Sequence, residues 1–214
     1  MPGRKPIRKR FLVVDDHTIV RSALKTLLKD IYSNALVEES VDGSDVIEKI
    51  KLNSYDLIIM DIQMPKNEAL GLIKQISTNY PSIPVLIYSM ASEKIYGIGG
   101  LKAGAKGFVS KESPMDELRK AINLAILGKT YLSQDIAELI SQQTLTKSET
   151  PFSNLSPREL QIVGLLLAGN GVSKISIALG LKNSTIGTHK NHIYQKLNIA
   201  NLLELKALSD SLLL

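Results

Sequence analysis

A doubly wound α/β domain of five parallel strands, followed by a small all-α domain of four helices, is the fold class that this 214-residue chain predicts. Three observations carry the reading. Short β-branched apolar runs alternate five times with amphipathic stretches over the first 128 residues, the pattern of a parallel sheet covered on both faces. Beyond that point the strand pattern stops and only helical periodicity continues. The composition, 44% hydrophobic and 22% charged, is that of an ordinary folded protein long enough to bury two cores.

The elements follow in order. Residues 1–9 form a basic arm, with Arg4, Lys5, Arg8, Lys9 and Arg10 giving the first ten residues a charge of +5. The arm is expected to be a disordered solubilising leader or, alternatively, a contact to phosphates. Strands are expected at Phe11–Asp15, Leu36–Ser40, Leu57–Asp61, Val85–Ser89 and Gly107–Ser110, and helices starting at Thr18, Ser44, Glu68, Ser92 and Pro114. Ser113-Pro114 supplies an N-cap and a proline at the first helical position, with Asp116 and Glu117 in the first turn. The fourth helix contains Gly97, Gly99 and Gly100, each costing about 1 kcal/mol relative to alanine, so a frayed or mobile segment is expected at Ile95–Leu101, the alternative being a helix held by tertiary packing. Residues 129–153 read as a linker with one helix, Gln134–Gln143, and a polar stretch, Thr144–Asn154. The last section, 154–214, reads as helices Pro157–Ala168, Ser173–Leu179, Ser184–Asn198 and Leu202–Leu212.

Composition excludes several classes of function. The chain has no cysteine, which removes disulfides, thiolate metal sites and cysteine nucleophiles. Its apolar runs are too short to span a bilayer and the basic N-terminus lacks the apolar core of a signal peptide, so no membrane association and a cytoplasmic location are expected. The net charge of +5 is uneven: residues 11–127 carry −2 and residues 154–214 carry +3. A basic tail domain is compatible with nucleic acid as a partner.

Asp15, Asp16, Asp61, Ser89 and Lys111 all fall at the carboxyl ends of strands, which share one edge in a parallel sheet, the edge where such folds place ligands. Three carboxylates together need a compensating cation. An oxygen-only donor set suits Mg²⁺, or Mn²⁺, and Lys111 with Ser89 suits a small anion beside it. Phosphoryl transfer to a carboxylate uses that combination.

These residues lie in motifs that resemble the receiver domain of two-component response regulators: Val-Val-Asp15-Asp16-His17, Ile-Ile-Met-Asp61-Ile-Gln63-Met-Pro65, and Ala103-Gly-Ala-Lys-Gly-Phe108-Val-Ser-Lys111. The resemblance covers residues 10–128 and implies a CheY-like receiver. It also implies that Asp61 is the phosphoacceptor, that Asp15, Asp16, Asp61 and the main-chain carbonyl of Gln63 hold the metal, and that Ser89 and Lys111 contact the phosphoryl oxygens. Ser89 and Phe108 would be the switch pair. Ala69 stands where the family usually has glycine, so the turn before the third helix must adjust if that site needs positive φ. Gln63 and Ala91 would flank the path of the hydrolytic water.

Leu155-Ser-Pro-Arg-Glu159-Leu, followed by Ser184-Thr-Ile-Gly-Thr-His-Lys-Asn-His-Ile-Tyr-Gln-Lys196-Leu, resembles the LuxR-type helix-turn-helix of the NarL/FixJ regulators. Ile186, Ile193 and Leu197 recur at helical spacing as a buried face, leaving Thr185, Thr188, His189, Lys190, Asn191 and His192 largely outward. The resemblance implies that this face enters the major groove of double-stranded DNA, with Lys190 and Lys196 near phosphates. Gly187 stands where a base-contacting Lys or Arg is common, and Ser173, Lys174 and Ser176 also depart from the family pattern. The leucines of Leu202–Leu212 either pack on their own domain or form a dimer seam.

The expected whole is a phosphorylation-controlled transcription regulator, no enzyme beyond self-phosphorylation from small donors and autodephosphorylation, with a sensor histidine kinase as donor and a homodimer as active form. Two rivals stay open: a DNA-binding regulator independent of phosphorylation, and a Mg²⁺-dependent aspartyl phosphatase.

Overall fold

The computed structural model describes residues 8–64, 69–146 and 151–211. Five parallel strands, β1 (Arg10–Val14), β2 (Leu36–Ser40), β3 (Leu57–Met60), β4 (Val85–Ser89) and β5 (Phe108–Ser110), form one sheet in the order β2-β1-β3-β4-β5. Between them run α1 (Thr18–Ile31), α2 (Val46–Leu52), α3 (Ala69–Asn79) and α4 (Glu93–Ala103), and α5 (Met115–Ile126) follows β5. Alternation along β1 divides the core. Phe11 and Val13 pack with Leu24 and Leu28 of α1 and Leu118 and Ile122 of α5, while Leu12 and Val14 pack with Val46 of α2 and Ile73 of α3. Both faces are thus covered, which is why the strands read as unbroken apolar runs.

The chain continues through α6 (Gln134–Thr146), a 3₁₀ turn at Pro151–Asn154, and the helices α7 (Pro157–Leu167), α8 (Val172–Leu179), α9 (Asn183–Leu197) and α10 (Leu202–Ser211). A capping box opens α7: the Glu159 N–H donates to Ser156 Oγ at 3.3 Å and the Ser156 N–H donates to Glu159 Oε2 at 2.7 Å. Between α8 and α9 the chain turns at Gly180, in the left-handed region with φ 64°. No helix among the described residues is long and apolar enough to cross a membrane.

Four expectations gain detail from the structure. The fourth helix is continuous, and its glycines are places of close approach: a Cβ at Gly97 would overlap Ile136 of α6, one at Gly99 would lie 2.9 Å from Leu160 Cδ1 of α7, and one at Gly100 would press on Ile87 of β4. Tertiary packing therefore replaces the missing helix propensity. The linker expected at 129–153 contains its one helix, α6, and its described residues are packed. The Tyr131 N–H donates to the Lys106 carbonyl at 2.7 Å, and Tyr131, Ile136 and Phe152 are all buried. At the end of the basic arm Lys9 Nζ pairs with Asp56 Oδ1 at 2.7 Å, and Arg10 begins β1. Helix α5 starts one residue late, at Met115, with Pro114 before it and no side-chain cap from Ser113. The expected start at Glu68 and the end at Leu212 lie outside the described residues, as do Arg4 and Lys5.

Ala69 needed no positive φ: α3 begins with it, and among the described residues Asn198 is the one non-glycine in the left-handed region. Apolar packing passes without a break from the sheet through α4 into the C-terminal helices, where Tyr96, Phe152, Leu160 and Val163 belong to one buried cluster. The Tyr96 hydroxyl donates to the Leu160 carbonyl at 2.7 Å, and a Cβ at Gly164 would overlap that hydroxyl. Two missing Cβ atoms, at Gly99 and Gly164, set the spacing of this seam.

Candidate phosphoacceptor site and nucleic-acid interface

The sheet ladder extends one residue past the strands and so places the acidic residues. The Asp15 N–H donates to the Ser40 carbonyl at 3.1 Å, the Asp61 N–H to the Val14 carbonyl at 2.9 Å, and the Lys111 N–H to the Ser89 carbonyl at 2.9 Å. These backbone bonds align the ends of β2, β1 and β3 with one another, and those of β4 and β5. Asp15, Asp61 and Ser89 are buried, and Asp16 is half-buried at the rim.

Lys111 Nζ lies 2.6 Å from Asp61 Oδ2 and 2.7 Å from Asp15 Oδ2, bridging the two carboxylates. Burial works against the Lys111 charge, but hydrogen bonds and attraction from Asp15 and Asp61 outweigh it and hold the ammonium above its ordinary range. Ser89 Oγ donates to Asp61 Oδ1 at 2.5 Å, and the Gln63 N–H donates to the same oxygen at 2.8 Å. Both oxygens of Asp61 are therefore oriented by fixed donors. Phe108 is buried in β5, in register with Ile87, one strand residue before Tyr88 and two before Ser89.

Three carboxylates facing one ammonium leave two negative charges uncompensated, the charge of one divalent cation. Asp16 Oδ1 is buried and accepts no hydrogen bond, and one ligand atom each from Asp15, Asp16, His17 and Asp61 falls within 4.8 Å of the others. An orphaned oxygen in such a cluster fits a hard cation. Two residues of this site were missed in the sequence. Arg21, buried in α1, donates from Nη1 to the Asp15 carbonyl at 2.8 Å and from Nε to Glu39 at 3.1 Å, a contact with no local motif. His17 lies beside the Asp pair, and that adjacency was the available signal.

The C-terminal helices present a second candidate surface. Ile186, Ile193 and Leu197 of α9 are buried, as expected, while Thr188 and Asn191 are exposed and Thr185, His189 and Lys190 are half-buried. Lys190 Nζ stands 5.3 Å from the centre of the Tyr194 ring. Lys196, expected near phosphates, places its ammonium 2.7 Å from the buried Glu159 carboxylate, closing the capping box of α7 against α9. On α10, Leu205 is buried while Leu202 and Leu203 are exposed.

Residues 11–123 match the response regulator receiver domain, and residues 153–208 match the bacterial regulatory proteins of the luxR family. The chain belongs to the response regulators. It is 32% identical over 200 residues to the response regulator UvrY of Escherichia coli strain K12, with 92% of each chain covered. The oxygen regulatory protein NreC of Staphylococcus epidermidis is 32% identical over 206 residues, covering 92% of this chain and 94% of its own. Among solved structures, RcsB of Salmonella enterica serovar Typhimurium, bound to the promoter rprA in the presence of the phosphomimetic BeF₃⁻, shares the fold. Its TM-score is 0.69 at 23% identity, over 94% of this chain and 98% of its own. This response regulator thus joins a receiver at its N-terminus to a luxR-family domain at its C-terminus.

Proposed function

We propose that the protein is a transcription regulator whose DNA binding is controlled by phosphorylation of Asp61 from the phosphohistidine of a sensor kinase. The observation that carries this reading is the fixed geometry around Asp61, whose two oxygens are held by Lys111, Ser89 and the Gln63 N–H. In the transfer the P–N bond of the donor breaks as a P–O bond to an Asp61 oxygen forms. Lys111 and Ser89, already beside those oxygens, are placed to meet the incoming phosphoryl oxygens, and Arg21 steadies the Asp15 backbone. Asp15, Asp16, Asp61 and the Gln63 carbonyl would hold Mg²⁺ or Mn²⁺, which supplies charge neutralisation and orientation of the phosphoryl group when bound. The same groups account for slow self-phosphorylation from small donors and for autodephosphorylation.

On the output side Thr185, Thr188, His189, Lys190 and Asn191 read double-stranded DNA, and two chains bind as a homodimer on half-sites about 34–36 Å apart. Ser89 and Phe108 shift together on phosphorylation, and α4, packed between β4 and α7, conveys the change. A kinase donor and a promoter target place the protein in the cytoplasm. Selecting DNA from a random pool with and without acetyl phosphate tests the reading. A two-fold sequence enriched more strongly with the donor supports it; identical pools, or steady turnover of a small phosphoester, would overturn it.

A further inference from the structure

We propose that His17 is an additional metal ligand of the phosphoacceptor site, so that this receiver favours cations that accept nitrogen, such as Mn²⁺ and Co²⁺, more than its carboxylates alone would. The inference rests on the divalent-cation reading above and concerns which ion the site selects.

Lys111 occupies the Oδ2 side of both Asp15 and Asp61. Asp15 Oδ1 therefore faces the opposite way, and His17 is on that side: its backbone N–H donates to Asp15 Oδ1 at 2.8 Å, and its ring Nδ1 is hydrogen-bonded to the same oxygen at 3.3 Å. The imidazole Nδ1 is also 2.8 Å from Asp16 Oδ1, yet that buried oxygen accepts no hydrogen bond. The ring nitrogen thus faces one oxygen of each carboxylate, hydrogen-bonded to Asp15 Oδ1 and close to Asp16 Oδ1, at the spacing of neighbouring ligands once a cation takes the place of the shared proton. An octahedral ion with bonds of about 2.1 Å spaces adjacent ligands about 3.0 Å apart, which the observed 2.8 and 3.3 Å bracket.

The backbone of His17 is fixed, since its carbonyl accepts from the Val20 and Arg21 N–H groups at 3.1 and 3.2 Å at the start of α1. The ring itself is 63% exposed and can complete a coordination sphere without unpacking anything. An imidazole beside two carboxylates favours Mn²⁺ and Co²⁺ over Mg²⁺, which prefers oxygen and readily keeps water in place of a missing ligand.

The test uses the full chain, with Mg²⁺, Mn²⁺ and Co²⁺ titrated calorimetrically into wild type, His17→Ala and His17→Asp, and pulsed electron paramagnetic resonance of the Mn²⁺-loaded proteins. Nitrogen hyperfine coupling is expected in wild type and absent from both variants. Co²⁺ affinity is expected to fall at least about tenfold in His17→Ala, the loss that even an outer partner of a metal ligand brings, while Mg²⁺ affinity falls much less. His17→Asp, which substitutes an oxygen ligand, is expected to recover Mg²⁺ affinity but no nitrogen signal. Mn²⁺ bound in wild type without nitrogen coupling, or coupling that persists in His17→Ala through His189 or His192, overturns the proposal and leaves the phosphoacceptor reading standing. Failure of wild type to bind any of the three ions overturns both.

Discussion

Ser89 closes the acidic crevice, and two residues earlier on the same strand Ile87 fills the space left by Gly100 of α4. One strand thus serves a polar assembly and an apolar one. The crevice is built from what side chains present: two buried carboxylates, an ammonium between them and a hydroxyl aimed at one oxygen. The α4 seam is built from what side chains omit, because Gly97, Gly99, Gly100 and Gly164 each admit a neighbour that a methyl group would exclude. The crevice holds charge that water would otherwise solvate, so it depends on balance. The seam holds shape, so it depends on volume.

Charge imbalance is the most severe way to break this comparison. Lys111→Met leaves Asp15 and Asp61 facing each other without a cation, and removing one partner of a buried pair costs about 3–5 kcal/mol. Denaturant unfolding in the presence of a chelator is expected to show that loss, with partial recovery on adding Mg²⁺. Unchanged stability would mean that the carboxylates are not held as a buried pair.

Volume comes next. Gly164→Ala drives a Cβ into the buried Tyr96 hydroxyl and is expected to cost about 1–3 kcal/mol, the usual range for overpacking. Amide exchange across α7 and Glu93–Ala103 should accelerate, whereas wild-type protection there would show that the seam tolerates separation.

A subtler probe uses protons. Glu93, in the first turn of α4, has a buried Oε1 without a partner; burial, with repulsion from Asp135, outweighs a hydrogen bond from Ser133 and pushes its pKa up to about 7. A raised carboxyl pKa means that the fold binds the protonated form better, so its stabilisation is present at low pH and lost as the pH rises through about 7. The melting temperature of wild type is expected to fall across that window more than that of Glu93→Gln. Parallel curves would remove Glu93 from the account of the α4–α6 contact.

The smallest effect is a control with opposite sign. Gly187 of α9 has open space around its Cβ position, so Gly187→Ala should stabilise the chain by about 1 kcal/mol or less through helix propensity alone. A destabilisation there would blur the distinction between glycines that admit a neighbour and glycines that do not.

The same division explains what could be read in advance. Asp15, Asp61, Ser89 and Lys111 were legible because strand ends in a parallel sheet must share an edge, so position along the chain translates into position in space. The partners of the α4 glycines were not legible because helix propensity is local, while Ile136, Leu160 and Ile87 arrive from three other elements. The ion pair of Lys196 was not legible for a related reason: its partner Glu159 lies 37 residues earlier, in a capping box whose acceptor could also reach a neighbouring helix. Arg21 was missed because a buried guanidinium bonded to a backbone carbonyl leaves no pattern in sequence.

The most direct test of the central claim, that phosphorylation of Asp61 controls DNA binding, is the salt-controlled affinity of the selected DNA for wild type and Asp61→Asn, each with and without acetyl phosphate. Wild type is expected to bind more tightly once the donor is added, and Asp61→Asn to bind with one affinity in both conditions. Wild-type binding that ignores the donor, or an Asp61→Asn protein that still responds to it, would contradict the account.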